Sequence, residues 1–130
     1  MRYMLLIYGN EQALSDDERQ ACYQESTELA HQLAREGHFI ATAPLHPTST
    51  ATSVRIRDGK RLVTDGPFAE THEQLGGFFM IEANDLDEAI AIAARIPGAR
   101  WGTVEIRPVI ELPGLPEEKR SADLDAQPTL

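Results

Sequence analysis

Cysteine is almost absent from this chain. Cys22 is the only one in 130 residues, so no intramolecular disulfide and no cysteine-based zinc site can form. A reducing compartment is the simplest setting. Basic residues are scarce too: 12 Lys and Arg stand against 21 Asp and Glu, a net charge of −9. Nucleic-acid binding needs clustered cations that neutralise phosphates, and this balance argues against it. Long apolar runs are also missing. No stretch approaches the roughly 18 apolar residues of a membrane span. Tyr3–Tyr8 is too short for the core of a signal peptide, and polar and acidic residues follow it. The expectation is a cytoplasmic protein with no membrane partner. Nor does the chain carry a P-loop, a Rossmann glycine pattern or a Ser-His-Asp signature.

What is present describes an ordinary globular domain, 42% hydrophobic and 25% charged. A chain of this length builds one core without staples. Tyr3–Tyr8 is apolar at every position and is ended by Gly9-Asn10, the pattern of a strand buried on both faces. Ser15 and Glu18 form a capping box that opens a helix. Cys22, Leu29, Ala30, Leu33 and Ala34 recur along it at helical spacing, and Gly37 ends it. Phe39–Leu45 reads as a second strand, stopped by Pro44 and Pro47. Val54–Arg57 and Arg61–Thr64 flank Asp58-Gly59, a hairpin signal of the type I′ turn. Phe78–Ala83 is a further apolar strand. Asp85 and Glu88 form a second capping box, for a helix carrying Ala89, Ile90, Ala93, Ala94 and Ile96 and stopping at Pro97-Gly98. Gly102–Val109 alternates, with Val104 and Ile106 facing one way and Thr103, Glu105 and Arg107 the other. From Glu111 onward prolines and mixed charge read as a poorly ordered tail or an arm that packs elsewhere.

The order β-α-β-(hairpin)-β-α-β is the ferredoxin-like α+β pattern with a hairpin inserted at its middle. Both helices of such a unit lie on one face of the sheet. Tyr3–Tyr8 and Phe78–Ala83 are nevertheless apolar on both, and no third helix is expected. The uncovered face predicts a homodimer in which two sheets pack together.

The least generic stretch is Asp65-Gly66-Pro67-Phe68-Ala69-Glu70-Thr71-His72-Glu73-Gln74-Leu75-Gly76-Gly77-Phe78-Phe79. Gly66-Pro67 forces a turn, and Gly76-Gly77 lets the backbone turn or approach something closely. Asp65, Glu70, His72 and Glu73 between them can exchange protons. This run resembles the signature of the YCII-related family in its DGPF-domain branch, which reads D-G-P-F-A-E-T-K-E-Q-L-G-G before an aromatic strand. His72 stands where that signature has Lys. The resemblance extends through Met1–Gly9, Thr52–Gly59, Leu86–Ala89 and Val104–Pro108. It covers residues 1–110 as the domain and leaves 111–130 as a tail. It implies a dimeric α+β barrel. The wider superfamily holds muconolactone isomerase-like enzymes, small monooxygenases and ligand-binding domains, so fold alone does not choose a function. Some members of the broader group have a His-Asp pair with the histidine on the first helix. Here the only histidine on that helix, His31, falls near its end and does not match.

The candidate site follows from these residues. Asp65 is a general base or, structurally, an Asx-turn residue. Glu70 pairs with it as an acid-base dyad or sits exposed in a salt bridge. His72 is a proton shuttle, or a positive charge shared with the family's Lys. Tyr8, Arg55 and Phe68 are the substrate-contacting candidates. The basic stretch Arg55, Arg57, Lys60 and Arg61 is a solvated hairpin or a rim attracting an anionic molecule. Cys22 reads as helix core. His38 and His46 lack the spacing of a metal site, and neither a metal nor a cofactor is expected. The resulting expectation is an acid-base enzyme, free of cofactors, acting on a small organic molecule. The competing one is a non-catalytic ligand-binding or regulatory dimer, linked through the resemblance to sigma-factor-type transcription control, with a protein partner engaged by the tail.

Overall fold

A strand that is apolar at every position has to be covered on both faces, and the chain places Tyr3–Tyr8 at the centre of its sheet. In the computed structural model, which describes residues 1–118, β1 (Arg2–Gly9) lies between β5 (Gln74–Glu82) and β6 (Thr103–Pro108). β2 (Phe39–Pro44) completes the sheet on the far side of β5. All neighbours are antiparallel. The spatial order β2-β5-β1-β6 is the ferredoxin-like α+β arrangement expected from the element order.

The register sorts the side chains. Tyr3 lies opposite Ile81 and Leu5 opposite Phe79, on one face; Met4 lies opposite Met80 and Leu6 opposite Phe78, on the other. The first face carries the core. Leu29 and Leu33 of α1 (Asp16–Arg35) and Ala89, Ile92 and Ala93 of α2 (Leu86–Ala93) pack on it together with Ile96. Phe79, Leu5, Leu33, Ile81 and Ile96 are almost fully buried, each worth about 1.5–3 kcal/mol of apolar burial. The second face is the one that Met4, Leu6, Phe78 and Met80 occupy. All four are only half-buried and none belongs to the core cluster.

The ends of α1 follow the expected chemistry. Ser15 Oγ accepts from the Glu18 N–H at 3.2 Å, and the Glu18 carboxylate accepts from the Ser15 N–H at 3.0 Å. At the other end the His38 N–H donates to the Leu33 carbonyl at 2.9 Å around the Glu36-Gly37 turn. The box expected at the start of α2 closes only halfway: Asp85 Oδ1 accepts from the Glu88 N–H at 2.9 Å, but the Glu88 carboxylate accepts from the Asn84 N–H at 2.8 Å instead of that of Asp85.

Four local expectations are corrected. Ala34 is exposed, because Leu29 and Leu33 define the buried stripe and Ala34 lies a further 100° round the helix. On α2 the buried stripe is Ala89, Ile92, Ala93 and Ile96, at i, i+3, i+4 and i+7. That spacing leaves Ile90 and Ala94 outside. A one-turn helix α3 (Gly98–Trp101) follows Pro97. It contacts β1 and β6 from the core side, where Gly98 lies against Ile7, so it covers none of the second face. Finally, β5 begins at Gln74 rather than Phe78, and Gly76-Gly77 lie inside the strand. There Gly77 serves the close approach: a Cβ on it would sit 2.9 Å from the Ala43 carbonyl oxygen of β2.

β3 (Thr52–Arg57) and β4 (Lys60–Asp65) form a separate two-stranded ribbon that, among the described residues, pairs with no other strand. Its turn has positive φ at both Asp58 and Gly59, as the type I′ geometry requires. Of the tail, residues 111–118 are described and are exposed, with Glu118 ion-paired to Arg2. The remainder of the tail lies outside the described residues.

The contact at Gly77 yields a test by urea denaturation. Gly77→Ala is expected to destabilise the fold by about 1–3 kcal/mol, the range for a side chain forced into a packed site. Gly76→Ala, whose Cβ meets nothing nearer than 3.9 Å, is expected to change stability little. Equal stability of the two variants would contradict the packing.

Candidate functional site

The sheet has one end at which the chemistry-bearing residues gather. β1 finishes there at Tyr8-Gly9, β5 starts there at Gln74, and β6 starts there at Thr103. Gly9 lies opposite Gln74 and Tyr8 opposite Thr103. On the second face at this end, Tyr8, Glu73, Thr103 and Glu105 line a shallow cleft of about 450 Å3. The Tyr8 hydroxyl donates to Glu105 Oε1 at 3.4 Å, and the Thr103 hydroxyl donates to Glu73 Oε1 at 3.1 Å. Neither carboxylate has a cationic partner within 4 Å among the described residues. The cleft therefore offers a phenol, a hydroxyl and two carboxylates. Such a set transfers protons or receives a cationic group.

Gln74 ties the preceding segment to this end. Its amide nitrogen donates to the Thr71 carbonyl at 2.5 Å, while its amide oxygen accepts from the Glu11 N–H at 3.0 Å. Glu11 in turn accepts from the Thr48 N–H at 3.0 Å. One half-buried glutamine thus links the loop after β1, the end of the Asp65–Glu73 segment and the start of β5.

At the other end of that segment Gly66 takes φ +110°, a left-handed value that favours glycine. Its N–H donates to the Ala51 carbonyl at 2.7 Å, and its carbonyl accepts from Ser53 Oγ at 2.7 Å. These two bonds close the base of the β3–β4 ribbon. They replace the expected Asx turn, since the Asp65 carboxylate makes no hydrogen bond to the turn. Asp65 itself ends β4, opposite Thr52.

Asp65, Glu70 and His72 are all exposed, and no hydrogen bond joins them. None of the three lines the cleft of Tyr8 and Glu105 or either cleft on the core side. Phe68 is 80% exposed. Arg55 projects from the ribbon with no ion pair among the described residues. Of the expected contacts, only Tyr8 lines a cleft. Glu73 is one of the four proton-exchanging groups of the Asp65–Gly77 stretch. Thr103 and Glu105 were not singled out from sequence, although the alternation about Val104 and Ile106 already places them together on the second face.

Two clefts border the core side. One, of about 850 Å3, lies beside the start of α1 and includes Glu11, Arg19, Tyr23 and His46. Arg19 is already committed there, to Asp16 at 2.9 Å and to the Glu11 and Leu14 carbonyls. The other, of about 180 Å3, is mainly apolar and lies between α1 and the sheet, with the half-buried Cys22 on its wall. His38 has the Glu82 carbonyl at 2.8 Å and Glu88 at 3.8 Å. Among the described residues no cluster of three or more metal-ligating side chains occurs, and no helix is long and apolar enough to cross a membrane.

The fold defines a ferredoxin-like α+β protein with a ribbon inserted before its third sheet strand. The model of the YCII-related domain matches residues 1–113, and the chain belongs to that family. It is also similar to an uncharacterised protein of Rhizobium meliloti (strain 1021). The two are 35% identical over 114 residues, 84% of this chain and 92% of that one.

A paired contact fixes α1 against α3 beside the smaller cleft. Arg100 donates to both carboxylate oxygens of Glu25, at 3.0 and 2.6 Å. That bond holds the Glu25 carboxyl below its usual range. A lowered carboxyl pKa contributes stability at neutral pH that is lost as pH falls through the folded-state value. Arg100→Ala is expected to return Glu25 to the ordinary glutamate value of about 4.3, read by NMR titration of the side-chain carboxyl. An unmoved titration would show that the fork is not formed in solution.

Proposed function

We propose that this protein works as a homodimer that binds a small organic molecule and performs acid-base chemistry on it without a cofactor. The supporting observation is the second face of the sheet, where an apolar stripe of Met4, Leu6, Phe78 and Met80 runs into a proton-exchanging end at Tyr8, Glu73 and Glu105. An apolar sheet face of this kind is the surface that a second copy covers. Two sheets stacked through it enclose a space whose mouth is the Tyr8 end. The Asp65–Glu73 segment enters β5 at that same end, which brings it to the rim of the enclosed space.

In this reading Asp65 and Glu70 handle protons, and His72 supplies either a proton or a positive charge. Tyr8, Arg55 and Phe68 contact the bound molecule. Phe68 is an exposed aromatic beside a fixed turn, suited to closing over an apolar ligand. The side chains that surround the Tyr8 cleft transfer protons rather than electrons, so the fitting reaction class is proton abstraction and return next to a carbonyl.

Two measurements test this reading. By sedimentation equilibrium at micromolar concentration the wild type is expected to have the dimer mass, and Met80→Asp to have the monomer mass with unchanged circular dichroism. A monomeric wild type would overturn the dimer. Exchange of α-protons of small keto acids and lactones into D2O, followed by NMR, is expected to be catalysed. Asp65→Asn and Glu70→Gln should each slow it by at least about a hundredfold, the lower range for a lost general acid or base. Equal rates in both variants would remove these carboxylates from the mechanism.

A further inference from the structure

The β3–β4 ribbon is an unexplained piece of chain. It is an isolated two-stranded element, a construction that is marginal in water without something to pack on. Every residue from Val54 to Asp65 is exposed. On one of its faces Val54 lies opposite Val63, with Ile56 next along the same face. Their exposures are 61%, 56% and 60%. Three β-branched side chains in a row, on a strand face left exposed by the described residues, form a contact surface rather than a solvated loop.

The ribbon also differs from the body in charge. Arg55, Arg57, Lys60 and Arg61 oppose only Asp58 and Asp65, a net +2 within a chain of net −9. The basic side chains make no ion pair among the described residues. The complementary surface is on the same molecule: Glu73 and Glu105 in the Tyr8 cleft, also without a cation, beside the half-buried apolar residues of the second face. Arg61, opposite Ile56, shares the face of Val54 and Val63, whereas Arg55, Arg57 and Lys60 lie on the other face. An apolar stripe ending in carboxylates matches an apolar ribbon face ending in that cation.

The position of the root makes the match usable between copies. β2 ends at Pro44 and β5 begins at Gln74 at one end of the sheet, and the ribbon leaves the chain between them. Its base is fixed by the Gly66–Ala51 and Ser53–Gly66 hydrogen bonds. Six-residue strands at about 3.3 Å per residue give it a reach of about 20 Å. A surface and its complement near one end of one chain are the ingredients of a reciprocal two-fold contact.

We propose that the β3–β4 ribbon is an arm that docks on a second copy of this chain. Val54, Ile56 and Val63 lie on the rim of that copy's second face. Arg61, on the same face as those three, pairs there with Glu73 or Glu105. The inference rests on the dimer proposed above and adds that each site is completed by the other copy's arm. Arg55, on the ribbon's other face, stays outside that contact.

The test uses the full chain. An Arg61→Lys variant, which puts an amine on the docking face, is treated with a carbodiimide, which joins amines to carboxylates without a spacer, after mixing isotopically heavy and light protein. Mass spectrometry is expected to find the lysine introduced at position 61 joined to Glu73 or Glu105 in mixed heavy-light peptides, and the product to disappear when Glu73→Gln and Glu105→Gln are added. In parallel, Val54→Asp with Val63→Asp is expected to weaken the dimer at least tenfold by sedimentation. A wild type that is monomeric overturns the dimer and the arm together. A wild-type dimer that Met80→Asp breaks, with no cross-link from position 61 of the Arg61→Lys variant to those glutamates, overturns the arm alone. An unchanged dissociation constant in the Val54→Asp, Val63→Asp variant does the same.

Discussion

The pairing of β1 with β5 is the constraint on which the rest depends. Side chains alternate along a strand, so two adjacent strands that are apolar at nearly every position create two apolar faces at once. The described residues supply cover for only one of them. Leu29 and Leu33 of α1 and the Ala89–Ile96 stripe of α2 pack on Tyr3, Leu5, Phe79 and Ile81, while α3 fills the gap over Ile7. Met4, Leu6, Phe78 and Met80 are left half-buried. Moving the register by one residue would only exchange the two faces, since both are apolar. What fixes it is the detail at the edges: the bulge between Ile7 and Tyr8, the close approach at Gly77, and the polar residues that β6 alternates with Val104 and Ile106.

That constraint decides where chemistry is placed. The closed face is filled by side chains, and at its border lie the wide cleft beside the start of α1 and the small apolar cleft beside Cys22. The open face ends in Tyr8, Glu73, Thr103 and Glu105, and those groups have hydrogen-bond partners but no cation among the described residues. The motif Asp65–Gly77 contributes mainly geometry in the single chain. Gly66 and Ser53 close the root of the ribbon, Gln74 anchors the other end, and Gly77 lets β2 approach β5. Of its titratable groups, Glu73 lines the Tyr8 cleft, while Asp65, Glu70 and His72 are exposed.

Much of this is legible in the sequence because it is local. Ser15 with Glu18, Gly37, Asp58-Gly59 and the alternation of Thr103–Pro108 each act within a few residues, and each does in the structure what its chemistry demands. Gly76-Gly77 is legible only halfway. Two glycines announce unusual backbone, but whether it turns or is crowded depends on β2, some thirty residues earlier, so the strand begins sooner than its apolar run. The one-turn helix at Gly98 has no periodic signal because four residues are too few to show one. Ile90 and Ile92 look equally apolar, and only the direction of the sheet distinguishes them. At the site, the gathering of Tyr8, Glu73 and Glu105 comes from strand pairing across 65 and 97 positions, which no local spacing encodes. Membership of the YCII-related family was legible from the Asp65–Gly77 motif for the opposite reason: it is one contiguous stretch.

The account turns on what covers the second face, and the methionines report on it directly. Met4 and Met80 lie on that face opposite one another, whereas Met1 is exposed at the start of the chain. A sample mixing chains labelled at methionine methyls with chains labelled at phenylalanine rings can be examined by isotope-filtered nuclear Overhauser spectroscopy. The account predicts cross-peaks between the Met4 or Met80 methyls of one copy and the Phe78 ring of another, with none from Met1. Absence of those cross-peaks at concentrations where the protein is fully associated would contradict it.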